Sequence, residues 1–222
     1  MCGRFGVPFR GDDLAAALAA EWQGEPLPGP RYNVAPTQHA PVLFEHEGAR
    51  RLQMTRWGLI PSWAKDPSIG NKMINARAET VVEKPAYRTA FRKRRCLVPM
   101  GGFFEWKREG KEKVPHWIYP AAEDVVTVAG LWERWYPHGA EPVTTFTVLT
   151  TAANAFMAAL HDRMPVVVAR EDRDAWLGAD SAEADLLALL RGCPEDYLAA
   201  HPVSTRVNNP RYDAADLVER RV

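Results

Sequence analysis

Eighteen prolines are spread through the 222 residues, and they constrain the chain more than any other feature. Proline lacks an amide hydrogen and clashes with the preceding helical turn, so it breaks helix interiors and marks turns and strand edges. An all-helical bundle is excluded, and many short elements separated by turns are expected. Hydrophobic residues make up 46% and charged residues 25%, which suits one sizeable core in a chain of this length and excludes disorder of the whole chain. No apolar run reaches the roughly 18 residues a membrane helix needs. The opening MCGRFGVPFR lacks the apolar centre of a secretory signal. Cys2, Cys96 and Cys193 form no CxxC, and the histidines form no HExxH, so neither a disulfide framework nor a metal site is expected. A reducing, cytoplasmic setting fits this cysteine usage. The 28 basic residues balance 28 acidic ones, so any contact with nucleic acid must come from a local patch.

Asp12 and Asp13 are placed to cap a helix carrying Leu14, Leu18 and Trp22 at four-residue spacing, ended by GEPLPGP at 24–30. Segments 41–45 and 51–57 read as two strands joined by the polar EHEGAR turn. Pro85 is expected to open a helix bearing Tyr87 and Phe91 and ending in Arg92 to Arg95. The apolar stretch 96–106 contains a Gly-Gly break and reads as a bent or bulged strand. Segments 117–119, 125–132 and 144–150 read as an antiparallel meander. A short helix over 152–160, a buried strand over 165–168, a helix over 181–191 capped by Ser181 and a last strand over 201–207 complete the pattern. No repeat or low-complexity linker divides the chain. Residues 1–222 therefore read as a single α+β domain, with a strongly bent, barrel-like antiparallel or mixed β-sheet core and flanking helices.

Cys2 matters by position. Methionine aminopeptidases remove Met1 before a small side chain, which would leave a free amine and a thiol on adjacent carbons. An α-amine titrates near about 7.7–8.0, so part of it is nucleophilic at physiological pH. Such an aminothiol can trap an aldehyde as an imine and then close a five-membered thiazolidine. It can equally serve an N-terminal nucleophile hydrolase, or be an incidental second residue. In RYNVAPTQ (31–38), Tyr32 and Asn33 can turn inward or simply form a turn. Asn75, Arg77 and Glu79 alternate, so on a strand they share one face. That face is either a site wall, where Arg77 can hold a phosphate by two hydrogen bonds, or a solvated surface. Glu105, between Phe104 and Trp106, is a candidate proton donor if desolvated, though alternation also lets it point to water. His161, at the lip of an apolar strand, suits proton shuttling or helix capping. Arg88, Arg92, Lys93, Arg94 and Arg95 can contact phosphates or line a solvated helix face. Trp57, Trp63 and Trp106 can stack on unpaired bases or fill the core.

Eight blocks then fall in order: MCGRF, RYNVAPTQ, WGLIPSWA, INARAET, RCLVPMGGFFEWK, LTTAAN, HDRMPVVV and VSTRVNN. Together they resemble the SRAP (SOS-response-associated peptidase) family over residues 2 to about 209. The resemblance implies a sensor that crosslinks to abasic sites in single-stranded DNA; that chemistry needs no metal or cofactor, no membrane partner is expected, and a monomer is the default expectation. It implies that Cys2 forms the thiazolidine, that Asn75 orients the amine and the sugar, and that Glu105 and His161 are catalytic. It implies that Arg77 binds a DNA phosphate and that Asn33 lines the pocket; Arg4 and Trp63 are the further DNA contacts expected. Weak strand cleavage at the imine stage would be a side reaction. Some members carry a second aromatic after the WGLIPSW block, whereas Trp63 here is followed by Ala64. Two other readings use the same residues: a cysteine peptidase or amidohydrolase with Cys2 and His161, and a non-covalent single-strand binder in which Cys2 is dispensable.

Overall fold

The short apolar segments pair into two sheets. The computed structural model describes residues 2–24 and 27–221, so Met1, part of the GEPLPGP cluster and Val222 lie outside the described residues. Its strands are β1 (Phe5–Val7), β2 (Glu21–Gln23), β3 (Arg31–Val34), β4 (His39–His46), β5 (Ala49–Trp57), β6 (Asn75–Arg77), β7 (Arg95–Met100), β8 (Gly102–Glu109), β9 (Glu112–Pro120), β10 (Val126–Trp135), β11 (Val143–Ala152), β12 (Arg163–Pro165) and β13 (Leu198–Pro202). One sheet runs β13-β9-β8-β1-β3, and the other runs β12-β11-β10-β7-β4-β5-β2 with β6 beside β11. A parallel pairing of β11 with β5, Thr145 to Arg56 and Phe146 to Trp57, closes β5, β4, β7, β10 and β11 into a ring. This is the bent, mixed sheet with a closed core that the sequence implied. Short helices flank it: α1 (Gly11–Ala17), α2 (Arg88–Lys93), α3 (Ala155–Ala158), α4 (Arg173–Leu177) and α5 (Glu183–Ala188). Phe5 of the first sheet meets Trp57 of the second edge-on at 4.9 Å, and Trp57 stacks on Phe146 at 6.3 Å. Such pairs add about 0.5–1.5 kcal/mol each beyond burial, so this trio locks the two sheets together.

Several elements depart from the sequence reading, each for a local reason. The first helix stops before Trp22. Ala19 adopts a left-handed φ of 48°, and Trp22 instead joins β2, paired with Leu52 on the edge of β5. The second helix begins at Arg88 rather than Pro85; Lys84 carbonyl accepts from the Tyr87 and Arg88 N–H groups in the turn before it. The Gly-Gly break does more than bend a strand, since β7 and β8 belong to different sheets. A Cβ on Gly102 would lie 2.4 Å from the Ile118 carbonyl oxygen, so only glycine lets β8 approach β9 there. The expected meander is split: β9 pairs with β8 and β13, while β10 and β11 pair in the other sheet. Ala182 takes the N-cap of α5, and the Ser181 hydroxyl donates to the Ala175 carbonyl at 2.6 Å. The last strand ends at Pro202, and a 3₁₀ turn capped by Ser204 follows.

Between β5 and β6 the chain must leave the ring and return beside β11. Gly58, at φ +117°, permits the reversal; a Cβ there would meet the Gly70 carbonyl oxygen at 2.5 Å. Trp57 Nε1–H donates to the Ile74 carbonyl at 2.9 Å and Leu59 N–H to Met73 at 3.1 Å, which sets Asn75 in place. Gly58→Ala should therefore lower stability by at least about 1–3 kcal/mol, the cost of a strained backbone position. Gly29→Ala, where a Cβ meets nothing within 4 Å, should stay within about 0.5 kcal/mol. Urea midpoints of the two variants check this.

Candidate active site

The residues before β1 are drawn inward because β1 is an interior strand. Phe5 pairs with Val34 on one side and Phe103 on the other, and Phe104 N–H donates to the Arg4 carbonyl at 2.9 Å. Cys2 is consequently fully buried. Asn75, brought to the same place by the pairing of β6 with β11, donates from Nδ2 to the Cys2 carbonyl at 2.8 Å. Its Oδ1 is buried and accepts no hydrogen bond among the described residues, so the amide holds one acceptor in reserve. Burial pushes the Cys2 thiol far above its ordinary range. The nearby Glu105 charge adds to this, and a hydrogen bond from the Arg4 backbone partly offsets it. The thiol is therefore protonated at neutral pH, and Glu105 lies within electrostatic reach of it.

Glu105 stands on β8 opposite His116 and is 3% exposed. It lines a cleft of about 400 Å³ with Trp106, Lys113, His161 and Asn208. The structure thus joins Cys2, Asn75, Glu105 and His161, which lie far apart in sequence, into one neighbourhood. His161 follows α3, and its Nδ1 is 3.0 Å from the Arg163 backbone nitrogen, which donates to it. A buried carboxyl and an imidazole on one cleft wall can pass protons to and from a bound ligand. Among the described residues no group of three or more His, Cys, Asp or Glu side chains is placed to hold a metal. A larger hollow of about 520 Å³, lined by Glu45, Glu47, Asp180 and Ser181 among others, contains none of the expected site residues.

The remaining candidates divide. Trp63 is 60% exposed and Arg77 is exposed at the end of β6, both available to a ligand. Arg4 is half-buried and donates to Asn33 Oδ1 at 2.8 Å and to the Val207 carbonyl at 2.6 Å. Asn33 is fully buried. Its Nδ2 serves the carbonyls of Tyr212, Asn209 and Val207 at 2.7, 3.1 and 3.4 Å. Asn33 therefore ties Arg4 to the C-terminal segment. Glu79 leaves the face shared by Asn75 and Arg77, because β6 ends at Arg77 and a 3₁₀ turn follows. Trp57 is core. The basic run at 88–95 is largely used by the fold: Arg95 is buried on the carbonyls of Phe91, Arg92 and Trp176, Arg94 pairs with Glu133 and Arg92 with Glu183. Sequence reasoning did not single out Lys113 or Asn208 in the cleft wall. Asn208, which accepts from Trp106 Nε1–H at 2.8 Å, lies within VSTRVNN, whereas nothing in the local pattern marks Lys113. Asn33→Ala should cost about 1–3 kcal/mol by stranding buried partners. It should also raise amide exchange across 205–213, measured by hydrogen–deuterium exchange; unchanged protection there would contradict this role.

A family model described as SOS response associated peptidase (SRAP) matches residues 1–210. The chain is 41% identical over 224 residues to the abasic site processing protein YoaM of Bacillus subtilis, covering 99% of this chain and 98% of that one. It is 31% identical to the abasic site processing protein YedK of Escherichia coli, over 99% of both chains. It is 32% identical to the abasic site processing protein HMCES of Xenopus tropicalis, over 95% of this chain and 76% of that protein. Among solved structures, a protein from Bacteroides thetaiotaomicron superposes with a TM-score of 0.91 over 100% of both chains at 26% identity.

Proposed function

The chain belongs to the SOS response associated peptidase family, and on that footing we propose that it processes abasic sites in DNA by capturing the opened sugar on Cys2 in single strands. The relatives named above are abasic site processing proteins. The observation that carries the reading is the burial of Cys2 beside Asn75, within reach of the Glu105 charge. Removal of Met1 frees the Cys2 amine. That amine adds to the C1 aldehyde of the open sugar, and the resulting hydroxyl leaves as water with a proton supplied by Glu105. The amine hydrogen returns to Glu105 as the C=N bond forms. Sγ then bonds to the same carbon and its hydrogen passes to nitrogen, closing the thiazolidine with net loss of one water. A thiol kept protonated by burial favours this order, with the amine first and sulfur second.

His161 exchanges protons at the sugar oxygens, while Asn75, which cannot titrate, holds the terminus and the sugar by hydrogen bonds. Arg77 and Arg4 meet phosphates, Trp63 offers a stacking face, and Asn33 acts by holding Arg4. An unpaired sugar reaches this recess without the few kcal/mol that extrusion from a duplex costs, so single strands should react faster.

A denaturing gel with single-stranded oligonucleotides bearing or lacking one abasic site tests the reading. A heat-stable adduct is expected with the abasic strand alone; its absence from the wild-type protein would contradict the proposal. Glu105→Gln should slow adduct formation by roughly 10²–10⁴-fold, the usual range for a proton carrier. Arg77→Ala should weaken binding to abasic and intact single strands alike and flatten the log–log salt dependence by about 0.7 per lost phosphate contact. A fluorescence-anisotropy salt series reads that slope.

A further inference from the structure

His161 sits at a fork. Its Nδ1 lies 3.0 Å from the Arg163 backbone N–H and 2.8 Å from a carboxylate oxygen of Asp162. A single ring nitrogen serves only one of them. Bare, Nδ1 accepts from Arg163, and in the neutral ring the hydrogen stands on Nε2. Protonated, it donates to Asp162. The choice decides which ring nitrogen carries a hydrogen and which can take one, and so what the imidazole offers the cleft.

The surroundings weight this choice. The Asp162 side chain is 85% exposed, so water competes for it. Arg163 is held from several sides. It is the first residue of the three-residue β12, paired with Ala152 where the ladder ends. Its guanidinium donates to both oxygens of Glu79, at 2.5 and 2.8 Å, and to the Thr150 carbonyl at 2.6 Å. Two-pronged guanidinium–carboxylate pairs are strong and fix orientation as well as distance. Glu79 lies in the 3₁₀ turn Ala78–Thr80, which directly continues the strand of Asn75 and Arg77. The pair therefore bridges the two elements that bring Asn75 and His161 to the site.

We infer that Glu79 is a positioning residue: through Arg163 it keeps the Arg163 N–H on His161 Nδ1, and so holds the neutral imidazole as the Nε2–H tautomer. The inference rests on the reading of His161 as a proton carrier. The bonds from Arg163 hold the Glu79 carboxyl below its ordinary range, so the clamp stays charged across neutral pH. Charged groups around His161 among the described residues include Asp162 beside it, and Glu105 on β8 and Lys113 on β9, which share its cleft. Glu79 is not part of that cleft lining, so its influence runs through Arg163.

The test reads ring nitrogens by two-bond ¹H–¹⁵N correlation in the Met1-processed, ¹⁵N-labelled protein at pH 8 without DNA. The wild type should show His161 as the Nε2–H tautomer. Glu79→Ala should add a comparable Nδ1–H population as Asp162 takes over, and Glu79→Asp, which keeps the charge, should restore most of the Nε2–H form. Glu79→Gln keeps the shape and should give an intermediate mixture, which guards against a misfolded alanine variant. Glu79→Ala should also slow adduct formation, with Glu79→Asp close to wild type. A wild type in the Nδ1–H form, or an unchanged tautomer in both Glu79→Ala and Glu79→Gln, would overturn the inference. The tautomer arm needs no DNA. A wild type that forms no adduct but shows the expected tautomer shift would overturn the crosslinking reading and leave the role of Glu79 in setting the tautomer standing.

Discussion

The position of Cys2 depends on a strand that would fray in most folds. Segments close to a chain end are usually poorly tied, yet β1 is paired on both edges, between β3 and β8. Phe5 on that strand is buried against Trp57, which stacks on Phe146 of the ring. Moving Cys2 by an ångström or two would mean breaking a sheet or opening the aromatic contact between the two sheets. A reactive group placed this way can be aimed, which a loose tail cannot do. The accompanying cost is a deeply buried thiol, and the raised titration of Cys2 follows from the same packing.

A second tie comes from the other end of the described chain. The Asp213 carboxylate accepts from the Tyr32 and Asn33 N–H groups, at 2.5 and 3.1 Å, and pairs with Arg31. The Asn33 amide binds the carbonyls of the same segment. This clasp lays residues 205–213 along β3 and carries Asn208 to the cleft, where it meets Trp106. Arg4, fixed by Asn33 and the Val207 carbonyl, is oriented by the clasp as well. The recess is thus built from both ends of the sequence, with β6, β8 and the loop after α3 supplying the rest.

The sequence revealed what depends on local pattern. The hairpin of β4 and β5 was legible because apolar alternation flanks a polar turn containing Gly48, and the break at Gly101–Gly102 marked a real change of direction. The ordered blocks brought out Cys2, Asn75, Glu105 and His161 together. What remained hidden was decided by partners remote in sequence. Trp22 fits a helical spacing, but the open edge of β5 captured it. Asn33 reads as a turn residue, yet its amide answers to carbonyls more than 170 residues away. Glu79 fits the alternation of Asn75 and Arg77, and its contact with Arg163 spans 84 residues. Arg95 belongs by sequence to a basic stretch that suits phosphates, but burial against the end of α4 turned it into a cap for backbone carbonyls.

The central claim is that the residue held by β1 and Asn75 is itself the nucleophile. Tandem mass spectrometry of the adduct formed with a single-stranded abasic oligonucleotide tests it most directly. The account predicts that the sugar maps to Cys2 of a chain lacking Met1, with the mass of protein plus DNA less one water and no free thiol at that residue. An adduct mapped to a lysine, such as Lys113 in the cleft wall, or one formed by protein that retains Met1, would contradict it.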